Sequence, residues 1–156
     1  PFRMDSIEAL SPSDSAGLSV ELARVASSVP DSSGSRFSAS PFVVLSARRF
    51  EALGRRIVVA HLVRRLPQEA SPLEEHTLVI AERADSAEGG PYVAAHYERS
   101  EGREETVDHY EVLAAVRSRE AVFLLLSRER EAQTVYEILQ RTKTGWRTRW
   151  SRTLAC

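Results

Sequence analysis

Cysteine occurs once in the 156 residues, as Cys156, which excludes an internal disulfide framework. That thiol has no positioned base near it in sequence, so a catalytic cysteine is not expected. Asparagine is absent, and lysine occurs only as Lys143, so 20 of the 21 basic residues are arginine. Two readings fit that bias: bidentate anion recognition by guanidinium groups, or GC-rich coding that favours Arg and Ala. No apolar run reaches the ~20 residues of a membrane-spanning helix, and Pro1 does not open a signal-peptide pattern. The chain is therefore not expected to be transmembrane. A net charge of −1 lacks the field of a general nucleic-acid binder, so no specific nucleic acid is expected as a partner.

Chemical motifs are missing too. No serine sits in a Gly-x-Ser-x-Gly elbow. No glycine-rich phosphate loop exists; Glu88-Gly89-Gly90-Pro91 reads as a hairpin turn. The four histidines, His61, His76, His96 and His109, show no His-x-x-x-His spacing, and there is no cysteine pair. Three or four convergent ligands make a metal site. His96 and His109 fall on runs expected to be neighbours, but alternation separates Asp108 from His109. No catalytic residue, metal or cofactor is expected.

The composition that remains, 42% hydrophobic and 28% charged, suits one soluble globular domain. Residues 1–40 read as a helix and linker. Ser11 caps, Pro12 occupies the first helical position, and Asp14 faces the N-terminal amides. Leu18, Leu22, Val25 and Val29 recur at helical spacing before Pro30. Residues 31–40 are Ser-rich.

From 41 to 156 the period changes to two. Eight runs follow: 42–50, 55–66, 75–84, 91–100, 104–117, 120–128, 132–142 and 145–154. Their connections are too short for crossover helices, so neighbours should be antiparallel. Segment 50–66 also admits a helical reading through Leu53, Ile57, His61 and Arg64; Gly54 and Ile57-Val58-Val59 favour a strand. Alternation places Tyr110, Val112, Ala114 and Val116 on one face, and Trp146, Thr148, Trp150 and Leu154 on one face of the last strand. Run 120–128 is apolar on both faces and should be central, with the N-terminal helix as its cover. The expected fold class is mostly β: an antiparallel up-and-down meander of about eight strands, a barrel or half-barrel, with one N-terminal α-helix.

The eight-strand pattern, with Val135-Tyr136-Glu137-Ile138-Leu139-Gln140-Arg141-Thr142-Lys143, resembles the lipocalin and wider calycin barrels. The chain departs from them in lacking a Gly-x-Trp on a first strand, a Thr-Asp-Tyr before 120–128, and a helix after 143. The resemblance implies a non-enzymatic barrel holding a small apolar or amphipathic ligand. Aromatic residues suited to line such an interior are Tyr97, Tyr110, Tyr136, Trp146 and Trp150.

Charge supports a second reading. Residues 42–66 and 141–154 are rich in arginine, while 67–120 are acidic. Closure of the barrel would merge the basic groups into one face that includes Arg55, Arg64, Arg147 and Arg149. That face, or an exposed sheet edge, would serve a protein-interaction or assembly module with an acidic protein partner.

Overall fold

The computed structural model describes residues 3–67, 70–86 and 89–155. In chain order these form β1 (Asp5–Ser6), a 3-10 turn (Ile7–Ala9), α1 (Pro12–Ser28), β2 (Val43–Ala52), β3 (Arg55–Leu66), β4 (Leu73–Ala84), β5 (Val93–Arg103), β6 (His109–Arg117), β7 (Val122–Arg130), β8 (Gln133–Thr142) and β9 (Gly145–Ala155). The fold is mostly β and antiparallel, with one N-terminal helix. Segment 55–66 is a strand. Cys156 lies outside the described residues.

Local chemistry explains the elements. The Ser11 side chain accepts a hydrogen bond from the Asp14 amide at 3.1 Å, and Val29 closes the helix before Pro30. The β2–β3 hairpin turns at Leu53 and Gly54, both at positive φ (54° and 66°). Two consecutive positive φ values give the primed turn that matches the twist of a hairpin.

The meander divides into two sheets, ordered β1-β2-β3-β4-β5 and β6-β7-β8-β9. Among the described residues no ladder joins β5 to β6, or β9 to the first sheet. The sheets stack with β9 against β5 and β6 against β3. Helix, five-stranded sheet and four-stranded sheet thus make three layers.

Each layer junction has its own core. Between the sheets, Phe50, Ile57, Val59, Leu78 and Ile80 meet Tyr110, Ala115, Val122, Leu124, Leu126 and Leu139. On the other face of the first sheet, Leu22, Val25 and Ala26 of α1 pack on Ala47, Val58, Ala60, Leu62, Val79, Ala81 and Tyr92. Strands β3 and β4 are therefore buried on both faces, and their apolar runs are continuous rather than alternating. The expectation that α1 covers 120–128 is corrected. The helix lies across the first sheet, from β2 to β5, because that sheet presents the second apolar face.

Bulges change two face assignments. In β6, Val112 pairs with Leu126 but Ala114 pairs with Leu125, so Leu113 is an extra residue. Tyr110, Val112 and Ala115 then point inward, and Ala114 and Val116 outward. In β9, Trp150 pairs with Ile138 but Thr148 pairs with Leu139, so Arg149 is extra. One inserted residue exchanges the faces of everything beyond it. Trp146 and Thr148 share the inter-sheet face, while Trp150 and Leu154 point outward. The single-face reading of these strands is corrected for that reason.

Candidate functional site

The inter-sheet layer is apolar at its centre and polar at its ends. At one end Glu82 of β4 gathers groups from three other strands. Arg141 Nε donates to Glu82 Oε1 at 2.7 Å and Arg141 Nη2 to Oε2 at 2.9 Å. Trp146 Nε1 donates to Oε1 at 2.7 Å, and Arg55 lies 3.7 Å away. Burial pushes the Glu82 carboxyl up, but the bonds from Arg141 and Trp146 outweigh it and hold the group below its usual value.

At the opposite end, Asp108 accepts a two-pronged bond from Arg130 (Nε 2.7 Å, Nη2 2.9 Å). Its amide donates to Ser100 Oγ at 3.1 Å. Arg128 pairs with Glu137 at 3.1 Å beside the buried Tyr110, whose hydroxyl is pushed up in pKa, chiefly by burial.

Three histidines meet near this end. His61 of β3 and His76 of β4 are both buried, with His61 Nε2 2.7 Å from His76 Nδ1. His76 Nε2 lies 2.6 Å from Glu74 Oε2, and Arg65 Nε bonds the other Glu74 oxygen. A carboxylate only accepts, so His76 carries its proton on Nε2 and His61 donates to His76 Nδ1. The His109 ring lies 4.8 Å from that of His76 and 6.4 Å from that of His61, and His109 Nε2 bonds the Glu104 carbonyl at 3.1 Å. Burial, with the neighbouring imidazoles, pushes His61 down to about 3; burial also lowers His76, against the pull of Glu74. The pairing of His96 with His109 is corrected. Their strands belong to different sheets, and His96 bonds Glu98 at 3.0 Å instead.

The five aromatic residues expected to line one interior lie in different places. Tyr110 is buried between the sheets, 5.5 Å from His61 ring to ring. Trp146 shares that layer but sits at the Glu82 end. Tyr136 and Trp150 belong to the outer face of the second sheet, which follows from their pairing and from Leu139 pointing inward. Tyr97 is exposed on β5, with the Arg99 guanidinium 5.8 Å from its ring centre. A surface hollow of about 450 Å³ beside Val29, Pro30 and Tyr97 includes none of the other four.

The expected basic face also divides. Arg64 is a correction: only 3% exposed, it bonds Glu75 at 2.8 Å and Asp31, tying the segment after α1 to β4. Arg55 faces Glu82. Among the described residues no ladder pairs β9 with β2 or β3, so the two basic groups are not joined by strand pairing. Arg147 and Arg149, joined by Arg152, stand exposed on β9 without an acid partner among the described residues.

Among the described residues no helix covers the outer face of the second sheet. Ala114, Leu125, Ile138 and Trp150 form one cross-strand row; Val116, Phe123, Gln140 and Arg147 form the next. Val116 and Trp150 are each 45% exposed. Sequence reasoning missed this face because it assigned the helix to it. The signal was present in the two-sided apolar pattern of Val122-Phe123-Leu124-Leu125-Leu126. The histidine group was also missed. Its signal was the register of the 62–77 hairpin, which places His61 and His76 on one face, diagonal across two strands.

No family model, curated protein or solved structure matches the chain. Among the described residues no helix is long and apolar enough to cross a membrane.

Proposed function

We propose that this protein is an interaction module that takes an acidic, extended segment of a partner protein onto the β9 edge. The chemistry of β9 carries the reading. The strand runs for 11 residues, pairs only with β8 among the described residues, and is exposed from Arg147 to Ala155. Among the described residues Arg147, Arg149 and Arg152 have no acid partner, whereas Arg55, Arg64, Arg65, Arg128, Arg130 and Arg141 each have one. A free strand edge offers backbone donors and acceptors to an incoming strand. Unmatched guanidinium groups select a negative one. Trp150, Ile138 and Leu125 beside the edge supply apolar surface for its other side chains. The lipophilic-ligand reading draws less support, because its five aromatic residues do not converge.

The test uses a labelled alternating Glu–Val peptide as long as β9, with an alternating Lys–Val peptide as comparison, followed by fluorescence anisotropy at low and high salt. The acidic peptide should bind preferentially and weaken as salt rises. The double substitution Arg147→Glu with Arg149→Glu should weaken it about tenfold. Equal binding of the two peptides, or an affinity moved by neither salt nor the double substitution, overturns the reading.

A further inference from the structure

We propose that the outer face of the second sheet is the contact between two copies of this chain, related by a two-fold axis that runs along its strands. The contact goes beyond the β9-edge reading and does not rest on it. It takes the face of the sheet and leaves the backbone of the β9 edge free.

The middle of this face is apolar. Phe123, Leu125, Ile138 and Trp150 project outward from β7, β8 and β9, and among the described residues they belong to neither core. Single apolar side chains on a surface are ordinary, but a contiguous patch rimmed by polar groups marks an interface. Four strands about 4.8 Å apart and four outward rows about 6.8 Å apart span a plane of about 500 Å². Two copies then cover about 1,000 Å² between them, which reaches the range of specific contacts.

Charge identifies the occupant. The carboxylates and guanidinium groups that alternation points outward are sorted by strand: Glu111 on β6 and Glu129 on β7, against Arg147 and Arg152 on β9. None of the four has an ion-pair partner among the described residues. Glu111 and Arg152 stand at the two ends of one cross-strand row, Glu111–Ser127–Tyr136–Arg152. Three strand spacings, about 14 Å, separate them, so they do not pair within one chain. A face that is acidic along one side and basic along the other is complementary to itself. A uniformly acidic partner would match β9 and meet Glu111 and Glu129 on the other half, whereas a second copy matches both halves.

Symmetry then sets the register. An axis along the strands, between β7 and β8, stacks β6 of one copy on β9 of the other. Each row lies opposite itself, within the roughly −30° turn of aligned sheets. Glu111 of each copy meets Arg152 of the other, twice per dimer. Size matches as well as charge. In the row Ala114–Leu125–Ile138–Trp150, the small Ala114 falls opposite Trp150 of the second copy, and Leu125 opposite Ile138. In the charged row, Ser127 falls opposite Tyr136. Sheets packed face to face lie about 10 Å apart, a gap that small-against-large pairs fill at interior density.

The test follows the purified full chain by sedimentation velocity from nanomolar to high micromolar concentration. The chain should pass reversibly from monomer to dimer. Glu111→Arg alone and Arg152→Glu alone, both at exposed positions, should each weaken dimerisation at least about tenfold, because each sets like charges opposite one another twice. An equimolar mixture of those two variants should recover the dimer, since a mixed pair has opposite charges at both contacts. In Trp146→Phe, Trp150 should emit to the red in the dilute monomer and shift to the blue as the dimer forms. Circular dichroism verifies that each variant is folded. Glu111→Arg should leave binding of the acidic peptide in place, because β6 is the far edge of the sheet, so failure of the dimer and failure of the edge reading are seen separately. A chain that stays monomeric throughout overturns the proposal. So does a dimer that neither substitution weakens, or a loss that mixing does not restore.

Discussion

Leu53 carries an identifiable strain. It sits at φ 54° in the β2–β3 turn and is exposed. A leucine in the left-handed region costs roughly 1 kcal/mol, which Asn or Gly largely avoids. Leu53→Asn should therefore stabilise the protein by about 0.5–1 kcal/mol in urea unfolding, with no change in the slope of the transition. An unchanged or lower midpoint would show that the leucine's packing outweighs its backbone cost. Leu22 is the opposite case. It is fully buried under the first sheet, so Leu22→Ala should cost about 2–5 kcal/mol through lost transfer energy and a cavity. The same urea experiment measures it, and a cost under 1 kcal/mol would mean that α1 is not held by this side chain.

The element that most changes the reading is the β9 bulge. Alternation alone makes Trp146 and Trp150 neighbours on one face, but the extra Arg149 separates them. Trp146 points to Glu82 between the sheets and Trp150 to solvent. Single-tryptophan variants test this directly. In Trp146→Phe the remaining Trp150 should emit to the red and be quenched readily by acrylamide. In Trp150→Phe the remaining Trp146 should emit to the blue and resist quenching. Identical quenching in the two variants would contradict the bulge. The helix carries a similar lesson. Its boundaries follow from Ser11, Pro12 and Pro30, but the sheet face it covers follows from packing, since the first sheet presents the second apolar face.

At the scale of the whole molecule, Glu82 joins the two sheets. It belongs to β4, and its partners Arg141 and Trp146 belong to β8 and β9. Its folded pKa lies below its ordinary value of 4.5. A lowered carboxylate pKa stabilises the fold above the unfolded value, and that contribution is lost as pH falls through the folded value. Stability should thus decline with acid from just above pH 4.5 downward. Glu82→Gln should lower stability by about 3 kcal/mol at neutral pH, since it leaves Arg141 without its charge partner. It should also flatten the acid part of the curve. An acid profile identical to that of the unsubstituted protein would show that another carboxylate, such as Asp31 beside Arg64, governs the decline.

The order of residues sets the local elements. The capped helix and the run positions follow from interactions within a few residues, such as caps, turns and side-chain period. Each long strand lies within five residues of its expected limits. It also determined that β7 is apolar on both faces. Long-range packing sets where the meander breaks into two sheets, which face α1 covers, and where Leu113 and Arg149 interrupt the alternation. Those choices rest on contacts between residues distant in the chain. One unpaired residue exchanges two faces without leaving a mark in composition. The same reason hid the histidine group: the β3–β4 register sets His61 beside His76, and the stacking of the two sheets adds His109.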